Sequence, residues 1–234
     1  MRSGHLKFPM KKKILLSIFI ILTAGYASAQ KDADAKTILN KVSQNYKAYD
    51  VVKTDFTFAL DNPQAGIKDT QNGTLTAKSK TNKFRVTIYG QEAGKAVVNQ
   101  EIISDGKTQW TYLKKDKEVQ VNNVDISGEG LNPAQVFTIY EHGYKYLYTG
   151  EIKMGGKIYQ QIDLTPEDDK KSFFKVRLTI DKVKKQIYSA LIFDKNGNRY
   201  TYTLKSFKPN VKVPDNTFSF DAKAHPGVEL VDLR

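Results

Sequence analysis

The sequence predicts a mainly β protein with a few helices, folded as an open antiparallel half-barrel of about eleven strands with a helical lid over an apolar cavity. Three observations lead to this prediction. From Val52 onward, apolar and polar residues alternate in successive short runs, which is typical of antiparallel strands with one wet face. Only two stretches have the period of a helix. A sheet of this length must curl, because open twisted sheets seldom exceed roughly ten strands.

The first 29 residues are typical of a signal peptide whose natural start is Met10. Three lysines after Met10 precede the apolar run Ile14–Leu22, and small residues at 27–29 predict cleavage before Gln30. A membrane anchor is the alternative, but a spanning helix needs roughly 20 apolar residues, far more than this run supplies. We therefore expect residues 1–29 to be removed and residues 30–234 to form a single domain.

The remaining chain is basic and has no cysteine. The leader holds five basic residues and no acidic one, so its removal lowers the formal net charge from +12 to +7. This surplus is consistent with docking on anionic phospholipid headgroups, and equally with a well-charged soluble surface. Export argues against nucleic acid as a partner. Without cysteine, the protein cannot itself be acylated as a lipoprotein and has no disulfide or thiolate chemistry.

The domain begins with a predicted amphipathic helix over Asp32–Tyr49, because apolar residues recur there every three or four positions. Strands follow it, each recognised by alternation or by β-prone residues between turn signals. The predicted strands are Phe56–Leu60, Gly73–Ala77, Phe84–Ile88, Ala96–Ser104, Thr108–Leu113, Glu118–Asn122, Tyr144–Ile152, Ile158–Thr165, Phe173–Asp181, Gln186–Phe193 and Asn198–Phe207.

Two interruptions in this series have recognisable chemistry. Asp105-Gly106 lies between two β-prone runs and predicts a tight hairpin turn, because both residues tolerate positive φ. Asn132-Pro133 is a helix start, with Asn as cap and Pro at the first helical position, and predicts a helix of about two turns over Ala134–Glu141. Because two turns are not stable alone in water, this helix must dock on the rest of the domain.

The polarity pattern assigns an apolar set to the inside of the half-barrel. Seven of its members come from strands and three from the underside of the short helix. They are Phe58, Leu75, Phe84, Val86, Ile88, Trp110, Tyr112, Val136, Phe137 and Tyr140. These residues could fill a packed core or line a cavity for a hydrophobic ligand, and the pattern alone leaves both interpretations open.

The sequence has few residues suited to catalysis. The two histidines of the mature chain, His142 and His225, lie beside turn residues about eighty positions apart, with no metal-ligand spacing. There is no nucleophile elbow and no phosphate-binding glycine loop. The acidic run Glu167-Asp168-Asp169 follows a proline and is typical of a solvated loop. We therefore expect neither an enzyme nor a bound cofactor or metal.

The hairpin Ser104–Tyr112, with Ser-Asp-Gly-Lys-Thr followed by Trp110 and Tyr112, resembles a hairpin of the outer-membrane lipoprotein carrier (LolA) family. The resemblance extends in order over nearly the whole mature chain. Its other segments are Ala35–Val42, Val51–Phe58, Gly73-Thr74-Leu75, Asn82-Lys83-Phe84-Arg85, Leu131-Asn132-Pro133, Leu164-Thr165-Pro166, Ile180-Asp181, Ile187, Asp194-Lys195-Asn196-Gly197, Phe218-Ser219-Phe220 and Pro226–Asp232.

The resemblance implies a periplasmic carrier that shelters the acyl chains of lipoproteins and moves them from the inner to the outer membrane. It implies as partners acylated lipoproteins, an inner-membrane ABC transporter, and an outer-membrane acceptor or lipid surface, and we expect a monomer. The family arginine that holds the lid closed has no counterpart in Ala77–Asn82, where Lys78 or Lys80 would act only as a point charge. The alternatives are a binding or sensing protein of the same fold for another amphiphile, and an enzyme acting on an apolar substrate.

Overall fold

The first described element is the amphipathic helix α1, residues 32–47, in a computed structural model that describes residues 32–124 and 136–234. The predicted leader and the predicted start of the second helix lie outside these residues. One side of α1 is buried, with Ala35, Leu39 and Val42 at most 4% exposed. The helix prediction is confirmed, although α1 ends two residues before Tyr49. No helix among the described residues is long and apolar enough to span a membrane.

Thirteen strands form one open sheet in the described part of the chain, two more than the sequence analysis counted. The additional strands are short and lie in the C-terminal tail. The strands are β1 Val51–Asn62, β2 Ile67–Lys78, β3 Lys83–Glu92, β4 Lys95–Asp105, β5 Thr108–Leu113, β6 Glu118–Asn123, β7 Tyr144–Met154, β8 Lys157–Pro166, β9 Phe173–Asp181, β10 Gln186–Asp194, β11 Arg199–Leu204, β12 Lys208–Pro209 and β13 Glu229–Asp232.

The sheet is antiparallel throughout, with one exception at its end. The strand order is β13-β6-β5-β4-β3-β2-β1-β11-β10-β9-β8-β7, and β12 pairs with the start of β1. Only β13 is parallel to its neighbour, β6. Because antiparallel neighbours share a face at each paired position, this register assigns every side chain to one of two faces. We call the face against which α1 packs the inner face, and the opposite one the outer face.

The core lies between α1 and the inner face. It includes Val52 and Phe56 of β1, and it continues across β2 and β3 and across β8 to β11. The most completely buried large side chains of this core are Val52, Leu75, Val86, Ile162, Leu164, Val176, Leu178 and Ile180. Several of these strands come from distant parts of the sequence. The core therefore depends on the complete sheet and not on any single hairpin.

The predicted hairpin at Asp105-Gly106 forms, but its centre is one residue later than expected. Asp105 is the last residue of β4, and the two turn residues are Gly106, with a φ of 99°, and Lys107. The Asp105 carboxylate accepts hydrogen bonds from the backbone N–H groups of Lys107, at 2.9 Å, and Thr108, at 2.8 Å. Asp105 therefore stabilises the turn through its side chain and does not need a positive φ.

The C-terminal segment covers the outer face of β3 to β6 before it pairs with β6. Two short 3₁₀ helices, Asp215–Phe218 and Ala222–Ala224, lie in this segment. Arg85 of β3 forms a bidentate ion pair with Glu101, and its Nη1 donates to the carbonyl of Thr217 at 3.2 Å. This end of the sheet is therefore covered on the outer face as well.

Candidate functional site

A row of aromatic rings runs along the inner face on the neighbouring strands β1 and β11. The ring of Tyr202 lies 6.0 Å from that of Phe56 and 4.9 Å from that of Phe58, and Phe58 stacks on Tyr200 at 6.0 Å. Phe56 is 2% exposed, whereas Phe58 and Tyr200 are only half-buried. The row therefore begins in the core and ends at a surface that solvent reaches.

The same change in burial occurs along β3 on the inner face. Phe84 and Val86 are buried, and Ile88, two residues further along the strand, is half-buried. At this end of the sheet the inner face thus presents apolar side chains that α1 and its neighbours bury only in part. The half-buried apolar residues of the inner face include Phe58, Leu60, Ile88, Ile102, Tyr148 and Tyr200. We refer to these six residues as the open apolar surface.

Gly73 determines how the aromatic row lies on the sheet. A Cβ at this position would be 2.5 Å from Cζ of Phe56 and 2.8 Å from the carbonyl oxygen of Thr87. The Phe56 ring therefore occupies the space above the β2 backbone that any other side chain would fill. The glycine allows this ring to lie flat and to carry the aromatic row outward from the core.

A short segment, residues 136–141, covers part of α1. It was expected to belong to an α-helix, but its described residues form 3₁₀ turns at 136–137 and at Ile139–Glu141, so the α-helical prediction is wrong there. The expected underside does face inward, since Val136, Phe137 and Tyr140 are each 3% exposed. Phe137 stacks on Tyr46 of α1, with ring centroids 4.8 Å apart.

Polar contacts also hold this cover segment to α1. The Glu141 carboxylate accepts a hydrogen bond from Ser43 at 2.7 Å and forms an ion pair with Lys47 at 2.8 Å. Lys78, one of the two lysines considered as a substitute for the family arginine, instead has its Nζ 3.8 Å from a carboxylate oxygen of Asp50. The contacts of Ser43 and Lys47 with Glu141, which we call the clasp, are a polar link between α1 and the cover segment.

The predicted inward set divides into three groups in the structure. Leu75, Phe84 and Val86 are buried in the core, Phe58 and Ile88 belong to the open apolar surface, and the three cover residues pack on α1. Trp110 and Tyr112 were expected to point inward, and that expectation is wrong. Both lie on the outer face.

The strand register gives the reason. Ser104 pairs with Phe84 on one side and with Gln109 on the other, so Gln109 shares the inner face and Trp110 does not. On the outer face, the ring of Tyr112 lies 4.6 Å from that of His225 in the C-terminal segment. Apolar residues thus alternate on β5 because the C-terminal segment covers its outer face. The alternation alone does not distinguish this covered outer face from the inner face.

Four members of the open apolar surface are not among the residues predicted from the sequence: Leu60, Ile102, Tyr148 and Tyr200. Tyr200 alternates with Tyr202 within a strand that was predicted, and Leu60 ends the alternation of β1. These patterns show that the residues share a face. Only the pairing of β1 with β11, which are far apart in sequence, shows that the face is the inner one.

The site offers apolar burial and few ionisable groups. Burial, together with the charge of Glu141, raises the pKa of Tyr46 to about 12, and burial also raises the pKa of Tyr202. Both phenols therefore stay protonated and neutral near pH 7. Among the described residues, no group of three or more histidine, cysteine, aspartate or glutamate side chains is placed to hold a metal ion.

The model of the family described as "Outer membrane lipoprotein carrier protein LolA" matches residues 47–221 of this chain. An outer-membrane lipoprotein carrier protein of Psychromonas ingrahamii is 28% identical over 120 residues, covering 51% of this chain and 53% of that protein. An uncharacterized protein of Methanocaldococcus jannaschii is 24% identical over 217 residues, covering 89% of this chain and 58% of that protein. The chain thus spans between half and three fifths of each relative.

Among solved structures, an uncharacterized conserved protein from Thermus thermophilus has the same fold. It aligns with a TM-score of 0.54 at 12% identity, covering 85% of this chain and 99% of that protein. At this identity the likeness concerns the fold alone.

Proposed function

This chain belongs to the outer membrane lipoprotein carrier (LolA) family, and from that membership we propose that it is an exported periplasmic protein that shelters lipoprotein acyl chains. In this proposal it takes acylated lipoproteins from an inner-membrane ABC transporter and delivers them to an acceptor or lipid surface at the outer membrane. No catalytic group is assigned to it.

The observation that carries the proposal is the open apolar surface. Phe58 and Tyr200 are stacked side by side, half-buried, on a sheet face whose continuation is a closed core. Each methylene removed from water is worth about 0.8 kcal/mol, so an acyl chain laid along these rings gains several kcal/mol. Half-exposed aromatic rings supply that contact area, and the phenol hydroxyl of Tyr200 is the one polar group of this pair that must stay solvated or hydrogen-bonded.

The reversible nature of carriage also fits this surface. A carrier must bind its cargo more favourably than water does but less favourably than the next acceptor does. The acyl chain must be able to leave for the next acceptor. An open surface beside the core under α1 allows this better than a deep closed pocket, because part of the acyl chain stays accessible. Two alternative functions would use the same surface. One is a protein of the same fold that binds another lipid or amphiphile, and the other is an enzyme that acts on an apolar substrate.

A photo-crosslinking experiment distinguishes these functions. Phe58 points to the inner face, and its neighbour Thr57 points to the outer face of the same strand and is also half-buried. Benzoylphenylalanine at position 58 keeps the aromatic ring of the native side chain and adds the photoreactive benzoyl group, and the same probe at position 57 is the matched control. We expect the probe at 58 to capture acylated lipoproteins in cells, and the probe at 57 to capture few.

Two results would contradict the proposal. Lipoproteins captured from position 57 and not from 58 would show that the cargo does not use the inner face. Capture at position 58 of another lipid, with no lipoprotein at either site, would support the alternative carrier or sensor. Both probe variants need a thermal unfolding curve, so that loss of capture is not confused with loss of folding.

A further inference from the structure

The turn between β9 and β10 presents an apolar tip among lysines. Its residues 182–185 read Lys-Val-Lys-Lys, and Val183 is 89% exposed. The turn is well defined, because the Asp181 carboxylate accepts hydrogen bonds from the N–H groups of Val183, at 3.0 Å, and Lys184, at 2.8 Å. A valine held this far from the rest of the protein has no packing role within the chain.

The antiparallel sheet brings two other basic segments to the same rim. Lys157 begins β8 directly after the β7–β8 turn, and Lys205 follows β11. Lys157, Lys184 and Lys205 line one open groove of about 200 Å³ together with Asp181, whose carboxylate accepts the hydrogen bonds of the turn. Within the described part of the chain, none of these three ammonium groups forms an ion pair or side-chain hydrogen bond, whereas the nearby Glu151 is already paired with Lys182 at 2.8 Å.

The opposite rim of the sheet, which holds the β3–β4, β5–β6 and β8–β9 connections, carries more acidic residues. Its turns carry acidic residues beside their lysines, for example the ion pair of Lys114 with Glu92 at 3.2 Å. The β8–β9 connection at that rim adds Glu167-Asp168-Asp169. The positive surplus is therefore concentrated at the rim that bears Val183, and it is not spread evenly over the protein surface.

We propose that Lys157, Val183, Lys184 and Lys205, which we call the basic rim, dock the protein on an anionic phospholipid bilayer. Unpaired ammonium groups attract lipid phosphates, and the exposed Val183 next to Lys184 enters the headgroup region, where apolar surface leaves water. The apolar tip favours a bilayer over a soluble polyanion, which would bind the charges without using it. This docking rests on the proposed function, whose lipid surface it specifies, and it does not depend on which cargo is carried.

The position of the basic rim gives docking a consequence for the site. Lys184 also borders a small apolar gap between α1 and the cover segment, lined by Tyr46, Phe137 and Phe207. The side-chain amide of Asn45 in α1 donates to the backbone carbonyl of Lys184 at 3.3 Å. A protein docked through this rim therefore holds the seam between α1 and its cover against the lipid surface.

Vesicle binding tests the proposal. The protein produced from the full chain is sedimented with vesicles of 30% phosphatidylglycerol in phosphatidylcholine, or of phosphatidylcholine alone. Each lysine near an anionic surface contributes about 1 kcal/mol, roughly fivefold in partitioning, so we expect the triple variant K157Q/K184Q/K205Q to bind anionic vesicles about 100-fold more weakly. The matched control K68Q/K95Q/K115Q removes the same charge from exposed lysines of the opposite rim and is expected to lose little.

A single-cysteine probe tests the orientation separately. Because the chain has no cysteine, Val183→Cys can carry one environment-sensitive fluorophore, with Lys115→Cys as the control at the opposite rim. We expect a blue shift on anionic vesicles for the label at 183 and none for the label at 115. Equal loss of binding in the two triple variants, equal binding to neutral vesicles, or a shift at 115 without one at 183 would each overturn the proposal.

Discussion

The clasp between α1 and the cover segment leads to a quantitative prediction for Glu141→Ala. A single carboxylate oxygen of Glu141 accepts from the Ser43 hydroxyl at 2.7 Å and contacts the Lys47 ammonium at 2.8 Å. The substitution removes both contacts at once. The stacked ring of Phe137 on Tyr46 stays in place, so the cover segment keeps its apolar contact and loses only its polar one.

The magnitude follows from exposure. The Lys47 side chain is 44% exposed, so its ion pair is screened and worth at most about 1 kcal/mol. The hydrogen bond from Ser43 to a carboxylate that is 19% exposed adds about 1 kcal/mol after the same discount. We therefore expect the local opening free energy to fall by about 1–2 kcal/mol, which is a factor of roughly 5–30 in the opening equilibrium.

Amide hydrogen exchange measures this directly. In Glu141→Ala, residues 136–141 should exchange roughly 5–30 times faster, while β5, at Thr108–Leu113, stays unchanged. Glu151→Ala is the control, because it removes a comparable ion pair, with Lys182 at 2.8 Å, away from the cover segment. Unchanged exchange at 136–141 would show that the clasp does not hold the cover, and equal acceleration in β5 would show that the substitution weakens the whole fold.

Two further predictions concern stability. Gly73→Ala should lower the free energy of unfolding by about 1–3 kcal/mol, because its Cβ would meet Phe56 at 2.5 Å and the immovable carbonyl of Thr87 at 2.8 Å. Denaturant unfolding should show little loss of stability in the control Gly90→Ala, because a Cβ at that position would be 3.5 Å from its nearest neighbour, Cβ of Asn99. Equal losses of stability in the two variants would contradict the steric argument. Because burial raises the pKa of Tyr46 from 10.0 to about 12, stability should decline as pH rises from about 10 towards 12, since the unfolded chain releases the phenol proton first. Tyr46→Phe should reduce this decline in melting temperature, and an identical slope would count against it.

Local sequence patterns predicted most of the sheet, because each hairpin of this fold joins strands that are adjacent in sequence. Alternation along β1 and β3 identified the side chains that share the inner face, such as Phe84 with Val86. The parallel strand β13 could not be predicted in this way. It pairs with β6 only because the C-terminal segment first crosses the outer face, where Thr217 accepts a hydrogen bond from Arg85.

The error at β5 has a physical origin that applies to other open sheets. An alternating strand shows which residues share a face, but not which of the two faces is the core, when both are covered. Around Trp110 the outer face is covered by the C-terminal segment, and the inner face carries Gln109 and Thr111, so the more apolar face is the outer one. The register of β5 with β4 shows which face is the inner one, and this register is known only from the folded sheet.

The polar clasp of the cover segment and a short stretch of acyl chain have energies of comparable size, and this comparison bears on the proposed carriage. The polar clasp at Glu141 is worth about 1–2 kcal/mol, which burial of two or three methylenes at about 0.8 kcal/mol each would offset. The cover segment also buries Val136, Phe137 and Tyr140, each 3% exposed, so an acyl chain that opens it must replace this apolar burial as well as the clasp. A bidentate arginine lock would raise that threshold. In this protein the clasp therefore contributes the smaller part of the threshold, and the apolar contacts of the cover segment with α1 contribute the larger part.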